Sequence, residues 1–110
     1  MGDQKPICKV FSGGTKRWYL NGKLHRVDGP ALEYADGTKH WLLNNELHRV
    51  DGPACEYADG DKQWFLNGIC HRVDGPAYEK PNGNNSWYLN DKFCKPIEVF
   101  KAATHEQRIH

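Results

Sequence analysis

Tryptophan stands at positions 18, 41, 64 and 87, each 23 residues from the last, and a fixed period of that length points to a tandem array of one supersecondary unit. Three complete units, residues 18–40, 41–63 and 64–86, share the pattern W-x-L-N-x-x-x-H-R-V-D-G-P-A-x-E. A half unit over 7–17 precedes them, in which CKVFSGGTKR aligns with ALEYADGTKH. A partial unit over 87–95 follows, with Cys94 in the column of His25, and 96–110 forms a C-terminal cap. The whole, 1–110, is expected to be a single repeat domain whose units bury apolar surface against their neighbours.

Within a unit, TKRWYLN and PALEYA are too short for helices and are bounded by Asn-Gly, Asp-Gly or Pro-Asn-Gly, so both predict strands. Alternation puts Trp18 and Leu20 on one face and Tyr19 on the other, with Leu42, Phe65 and Tyr88 repeating the Tyr19 position. Ala35-Asp36-Gly37 suits a tight hairpin turn with glycine at positive φ. Residues 21–29 are predicted to form a long loop whose Leu24 and Val27 fold over the tryptophan ladder. The fold class is therefore all-β: an elongated, twisted antiparallel meander of about eight strands. For PIEVFKAATHEQR a short capping helix is expected, with a last edge strand as its rival.

Composition narrows the function. Fifteen Lys plus Arg against fourteen Asp plus Glu leave a net charge of +1, which supplies no general attraction to nucleic acid or an anionic membrane. No stretch approaches the roughly 18 apolar residues of a membrane span, and MGDQKPICK lacks the apolar segment of a leader, so the expected address is the cytoplasm. The four cysteines are then expected to be reduced. No cofactor or metal is expected; Cys70, His71 and Cys94 are the nearest to a metal constellation, and their spacing matches no familiar zinc pattern.

The heptapeptide HRVDGPA occurs three times, at 25–31, 48–54 and 71–77. A histidine with an aspartate three residues on could be an oriented general base, and Cys55 or Cys70 a nucleophile, but no Ser, Thr or Cys recurs beside the dyad in every unit. A shared metal fails on distance, since equivalent residues in successive hairpins lie two strands, roughly 9 to 10 Å, apart. The structural reading accounts for each letter: Asp28, Asp51 and Asp74 bond their own loops, the following glycine takes a turn conformation, and proline leads into the next strand. His25, His48 and His71 bridge loop groups, and Arg26, Arg49 and Arg72 pair with Glu33, Glu56 and Glu79. If these rings act as neutral acceptors, acidification weakens the fold.

Specificity is expected where units differ: Lys23, Glu46, Ile69 and Lys92 in one column, Leu32, Cys55 and Tyr78 in a second, His40, Gln63 and Ser86 in a third. The stripe Tyr19, Leu42, Phe65 and Tyr88 is either core or, if uncovered, a partner or dimer surface. Lys16, Lys39 and Lys62 could form a basic row, though such rows are mostly solvated faces. The first strand, near residues 7–12, offers an open edge to a second copy.

The period, the tryptophan followed by Asn-Gly-Lys, the histidine three residues after that glycine and the closing aromatic-x-Asp-Gly resemble the MORN (membrane occupation and recognition nexus) repeat over residues 7–95. The unit departs from that pattern at His25-Arg26-Val27-Asp28-Gly29, where a MORN unit would carry H-G-x-G. W-Y-L-N-G-K-x-H-R-x-D-G-P-A arrays are similar to ones in proteins of tailed bacteriophages and some bacteria. The resemblance implies an extended β-meander used for protein contact or assembly, and from it comes the expectation of a non-enzymatic phage accessory module that binds and inhibits or redirects a host defence protein in the host cytoplasm. A self-assembling or virion-associated repeat protein is the second expectation, and an enzyme or small-ligand binder using His and Cys the third.

Overall fold

The structure, a computed structural model, describes residues 5–94. Among these residues there are fourteen short strands and no helix, every pairing is antiparallel, and the chain is all-β as its sequence predicts. The region for which a capping helix or edge strand is expected, 96–110, lies outside the described residues.

Strands fall into two rows. The first is an eight-stranded sheet built from β1 (Ile7–Val10), β2 (Lys16–Leu20) with β3 (Lys23–Leu24) on it, β4 (Leu32–Glu33), β5 (Lys39–His40), β8 (Cys55–Glu56), β9 (Lys62–Gln63) and β12 (Tyr78–Glu79). Its path β1-β2-β4-β5-β8-β9-β12 is a meander that advances two strands per unit. The second row consists of ribbons: β6 (Leu42–Leu43) with β7 (Glu46–Leu47), β10 (Phe65–Leu66) with β11 (Ile69–Cys70), and β13 (Trp87–Leu89) with β14 (Lys92–Cys94). Backbone bonds link one ribbon to the next, as Arg49 N–H donates to Phe65 O at 3.2 Å and Gly68 N–H to Leu47 O at 2.8 Å.

Tryptophan marks the bend between rows. Trp41 follows β5 and precedes β6; its N–H donates to Ala54 O at 2.7 Å in the first row, and its carbonyl accepts His48 N–H at 3.0 Å in the second. The single strand predicted for TKRWYLN is thus two in the second and third units, separated by a corner at Trp41 and Trp64, and continuous in β2.

The predicted long loop 21–29 is also two things. Asn21 (φ 53°) and Gly22 (φ 78°) form a two-residue turn between β2 and β3, with Tyr19 opposite Leu24 and Leu20 opposite Lys23. Positive φ at both central residues matches the twist of the flanking strands, which is what Asn-Gly supplies. Only 25–31 then lies outside a strand before β4. At the other corner the expectation holds: Gly37 (φ 98°) donates to Tyr34 O at 3.0 Å, and Tyr34 N–H to Thr38 O at 2.9 Å closes the hairpin.

The core is thin and sits in the corner. Ala31, Ala54 and Ala77 are fully buried, Leu32, Leu42, Cys55 and Cys70 nearly so, and Leu24 and Leu47 pack against the Ala31, Leu32 and Leu42 cluster. Leu24 therefore packs into this core, opposite Tyr19, and not over the tryptophan ladder where it is expected; Val27 and Val50 cover nothing, being 81% and 82% exposed. The Tyr19, Leu42, Phe65 and Tyr88 stripe lines the same corner: Leu42 is buried and the three aromatic side chains are half-buried. Phe65, Tyr78 and Tyr88 form a chain of ring contacts, 6.4 and 5.0 Å between centroids.

The lysine row is interleaved. Successive registers set Lys16 opposite Glu33, Glu33 opposite Lys39, Lys39 opposite Glu56, Glu56 opposite Lys62 and Lys62 opposite Glu79. Alternating charges directly across a sheet stabilise the pairing and leave no unbroken basic stripe for a phosphate backbone.

Candidate functional site: the HRVDG loops and the clefts between them

Each HRVDG arginine is the centre of its unit. The Arg49 guanidinium lies 3.9 Å from the Trp41 ring centroid. Its Nε donates to Asp51 Oδ1 at 3.3 Å, and its Nη1 donates to Pro53 O at 3.1 Å and Glu56 Oε2 at 3.0 Å. Arg26 on Trp18 and Arg72 on Trp64 repeat this, at 4.0 and 3.9 Å, with Asp28, Pro30 and Glu33 or Asp74, Pro76 and Glu79 as acceptors. The expected Arg–Glu pairs form, but the cover over the tryptophan is the guanidinium itself. A planar cation stacked on an indole while its edge donates to fixed oxygens is an arrangement lysine cannot copy.

The glycine after the aspartate serves this stack. Gly29, Gly52 and Gly75 lie where the chain bends, without positive φ. A Cβ on Gly52 would stand 3.0 Å from Arg49 Cζ, and on Gly75 2.8 Å from Arg72 Cζ. The guanidinium is held between an indole on one side and a bare backbone on the other.

Histidine fastens one unit to the next. His25 Nδ1 accepts Asn44 N–H at 3.1 Å, His48 Nδ1 accepts Asn67 N–H at 2.9 Å, and His71 Nδ1 accepts Asn90 N–H at 3.0 Å. Each acceptor lies 19 residues before its donor, across the junction between units. The bridge expected within a loop is thus a bridge between neighbours. The asparagine turn was in plain view in the sequence, but nothing local ties it to a histidine in the preceding unit. His48→Ala is expected to cost about 1 kcal/mol of stability, the net worth of one such bond, and to speed hydrogen exchange at the Asn67 amide selectively; unchanged exchange there would remove the fastening role.

The loops leave a file of clefts between them. One lies over Trp41 and Leu43, walled by residues 26–29 and 48–51, with a volume of about 740 Å³. The next lies over Trp64 and Leu66, walled by 49–52 and 71–74, at about 620 Å³. A third abuts Trp18 and Leu20, with Lys5 and Pro6 in place of an earlier loop. The ion pairs at their rims are asymmetric: arginine side chains are 20 to 24% exposed, whereas Asp28, Asp51 and Asp74 are 80 to 88% exposed. The face that a visitor meets carries carboxylates and valine methyls.

Of the other residues marked for specificity, Lys23, Glu46 and Ile69 are exposed beside the ribbon turns, away from the clefts. His40 is half-buried, its ring edge-on to Tyr34 and Tyr57 at 5.9 and 5.5 Å and its Nδ1 3.1 Å from Cys55 Sγ. That contact brings together a cysteine and a histidine, yet its electrostatics oppose nucleophilic use. Burial pushes the Cys55 thiol up to about 11 and holds His40 below the ordinary histidine value, whereas a thiolate nucleophile needs the reverse. Cys70 is likewise raised to about 11 by burial.

His40 gives a pH dependence with a definite sign. The unfolded ring, near 6.5, takes a proton more readily than the folded one, so His40's share of stability is complete above about pH 6.5. It is lost as the pH falls from there through the depressed folded value. Thermal melts between about pH 8 and 5 should show a falling Tm, less steeply in His40→Gln, which installs the residue found at position 63. Equal slopes in both proteins would contradict this.

Among the described residues there is no group of three or more His, Cys, Asp or Glu able to hold a metal, and Cys8, Cys55 and Cys70 are free thiols. The side chain of Cys94 lies outside the described part. No helix of the described residues is long and apolar enough to cross a membrane, a statement that does not concern β-barrels.

These features define a class: a tandem array of two-hairpin units in which arginine–tryptophan stacks hold each unit and histidines join successive units. The chain matches no known protein family, no curated protein and no solved structure.

Proposed function

We propose that this chain is a non-enzymatic protein-interaction module that presents the file of clefts and the exposed residues between its fastened loops. One observation carries the reading: every HRVDG histidine and arginine has a structural partner, so the residue types that would do chemistry are engaged in holding the array. Repeated surfaces on a rigid scaffold serve recognition by combining several modest contacts. The finer reading, a phage accessory protein acting on a host defence protein in the cytoplasm, rests on the resemblance of the repeat alone.

The test is affinity capture from bacterial lysate with wild type and with a variant in which Val27 and Val50 are both serine, followed by mass spectrometry. A stoichiometric partner retained by wild type and reduced by the variant supports the reading; hydrolytic or transfer activity that disappears with His40→Gln would overturn it.

A second reading, self-assembly, is favoured by the β1 edge, where Ile7 and Val10 are each 67% exposed and Phe11 41%. Phe11 N–H donates to Thr15 O, so alternate residues Cys8 and Val10 turn their backbone groups outward. Light scattering separates the two: concentration-dependent growth that Val10→Pro abolishes favours assembly, and a fixed mass across concentrations favours the module.

A further inference from the structure

The clefts have a period as well as a chemistry. Equivalent loops are two strands apart in the first sheet, which sets successive clefts roughly 9.4 to 9.8 Å apart. A polyproline II segment advances 3.1 Å per residue with three residues per turn, so every third side chain returns to one face after about 9.3 Å. A β-strand ligand, alternating faces every residue, has no such match.

The lining fits the same visitor. Each of the two complete clefts has an indole and a leucine in its floor and an exposed valine on its wall, surfaces suited to pyrrolidine rings. Charge selects the residue that enters. The Trp41 cleft lies between Asp28 and Asp51, and the Trp64 cleft between Asp51 and Asp74. The arginines beneath are tied to Asp, Glu and backbone oxygens and mostly covered, so the outward potential at each mouth is set by exposed carboxylates.

We infer that the file of clefts binds a cationic polyproline II segment, one helical turn per repeat, with a lysine or arginine at every third position seated between successive loop aspartates. This rests on the interaction-module reading and names the class of partner. Proline-rich ligands are already ordered before binding, so little conformational entropy is lost and shallow clefts can suffice when several are filled together.

The probe is a synthetic acetyl-(Lys-Pro-Pro)4-amide titrated into the full chain and followed by tryptophan fluorescence and calorimetry. Controls are a peptide of the same composition with its lysines in one block, and (Lys-Gly-Gly)4, which keeps the period without the stiffness. Saturable binding is expected for the periodic peptide, about tenfold weaker for either control, and weakening as salt is raised. Asp28→Asn, Asp51→Asn and Asp74→Asn together keep an oxygen for each arginine Nε but remove the rim charge, and should weaken binding at least about tenfold. Val50→Lys, at an exposed position, should do the same if the triple variant folds poorly. No binding of the periodic peptide, equal binding of the block peptide, or undiminished binding by a folded charge variant would overturn the inference. A lysate partner captured equally by wild type and the triple variant would overturn it too, while leaving the interaction-module reading standing; absence of both peptide and lysate partners would count against both.

Discussion

Arg49→Ala is expected to lower the unfolding free energy by about 3 kcal/mol, and Arg49→Lys to restore less than half of that. The alanine variant loses a stacked cation, two charged pairs and the donor to Pro53 O, and it leaves half-buried Glu56 with only the lysines across the sheet, Lys39 and Lys62, as cationic neighbours. Lysine keeps the charge but not the planar fork that faces Trp41 and reaches three oxygens at once. A double-mutant cycle with Gly52 tests the cause. Gly52→Ala should cost about 1–3 kcal/mol in the wild-type background, because its Cβ would stand 3.0 Å from Arg49 Cζ. In the Arg49→Ala background most of that cost should vanish. Urea unfolding of the four proteins measures it, and additive losses would mean that the glycine serves something other than the arginine.

Ala54→Leu is the other substitution expected to be severe, at about 3 kcal/mol by chemical denaturation. Ala54 has no exposed surface, and its backbone is fixed on both sides, accepting from Trp41 N–H at 2.7 Å and donating to Gln63 O at 2.8 Å. A larger side chain cannot escape without opening the corner between the two rows. The adjacent position behaves differently within the chain itself, holding leucine at 32, cysteine at 55 and tyrosine at 78. Cys55→Leu should therefore cost less than about 1.5 kcal/mol, and a loss equal to that of Ala54→Leu would show that the corner has no preferred small side.

How far the sequence reveals this fold depends on how local each cause is. The period, the antiparallel course and the Asp-Gly hairpins follow from spacing and turn residues, and the structure has them. The Asn-Gly hairpin escaped because its returning strand is only Lys23–Leu24, too short to leave an alternating pattern, so turn and strand merged with the following segment into one apparent loop. Arg49 and Glu56 were legible as a charge pair seven residues apart. The Arg49–Trp41 stack was not, although the joint recurrence of Trp, Arg and the second glycine carried it; steric need for a bare backbone looks the same in a sequence as a need for positive φ. His48 to Asn67 could not be found from local pattern, because its range spans most of a unit. The Trp41 and Trp64 clefts were invisible for a related reason, being walls contributed by successive loops.

The histidine bond has a bearing on how such a molecule can change in length. Because acceptor and donor belong to different units and every junction uses the same two atoms, excising residues 41–63 joins His25 to the turn formerly bonded by His48, and the new seam is closed by the same histidine bond as those already present. Duplicating those residues extends the molecule equally cleanly, whereas an excision that is not a whole number of 23-residue units breaks a seam. Reach along the array can therefore be gained or lost in whole steps by simple recombination, with the same histidine bond ready at either side.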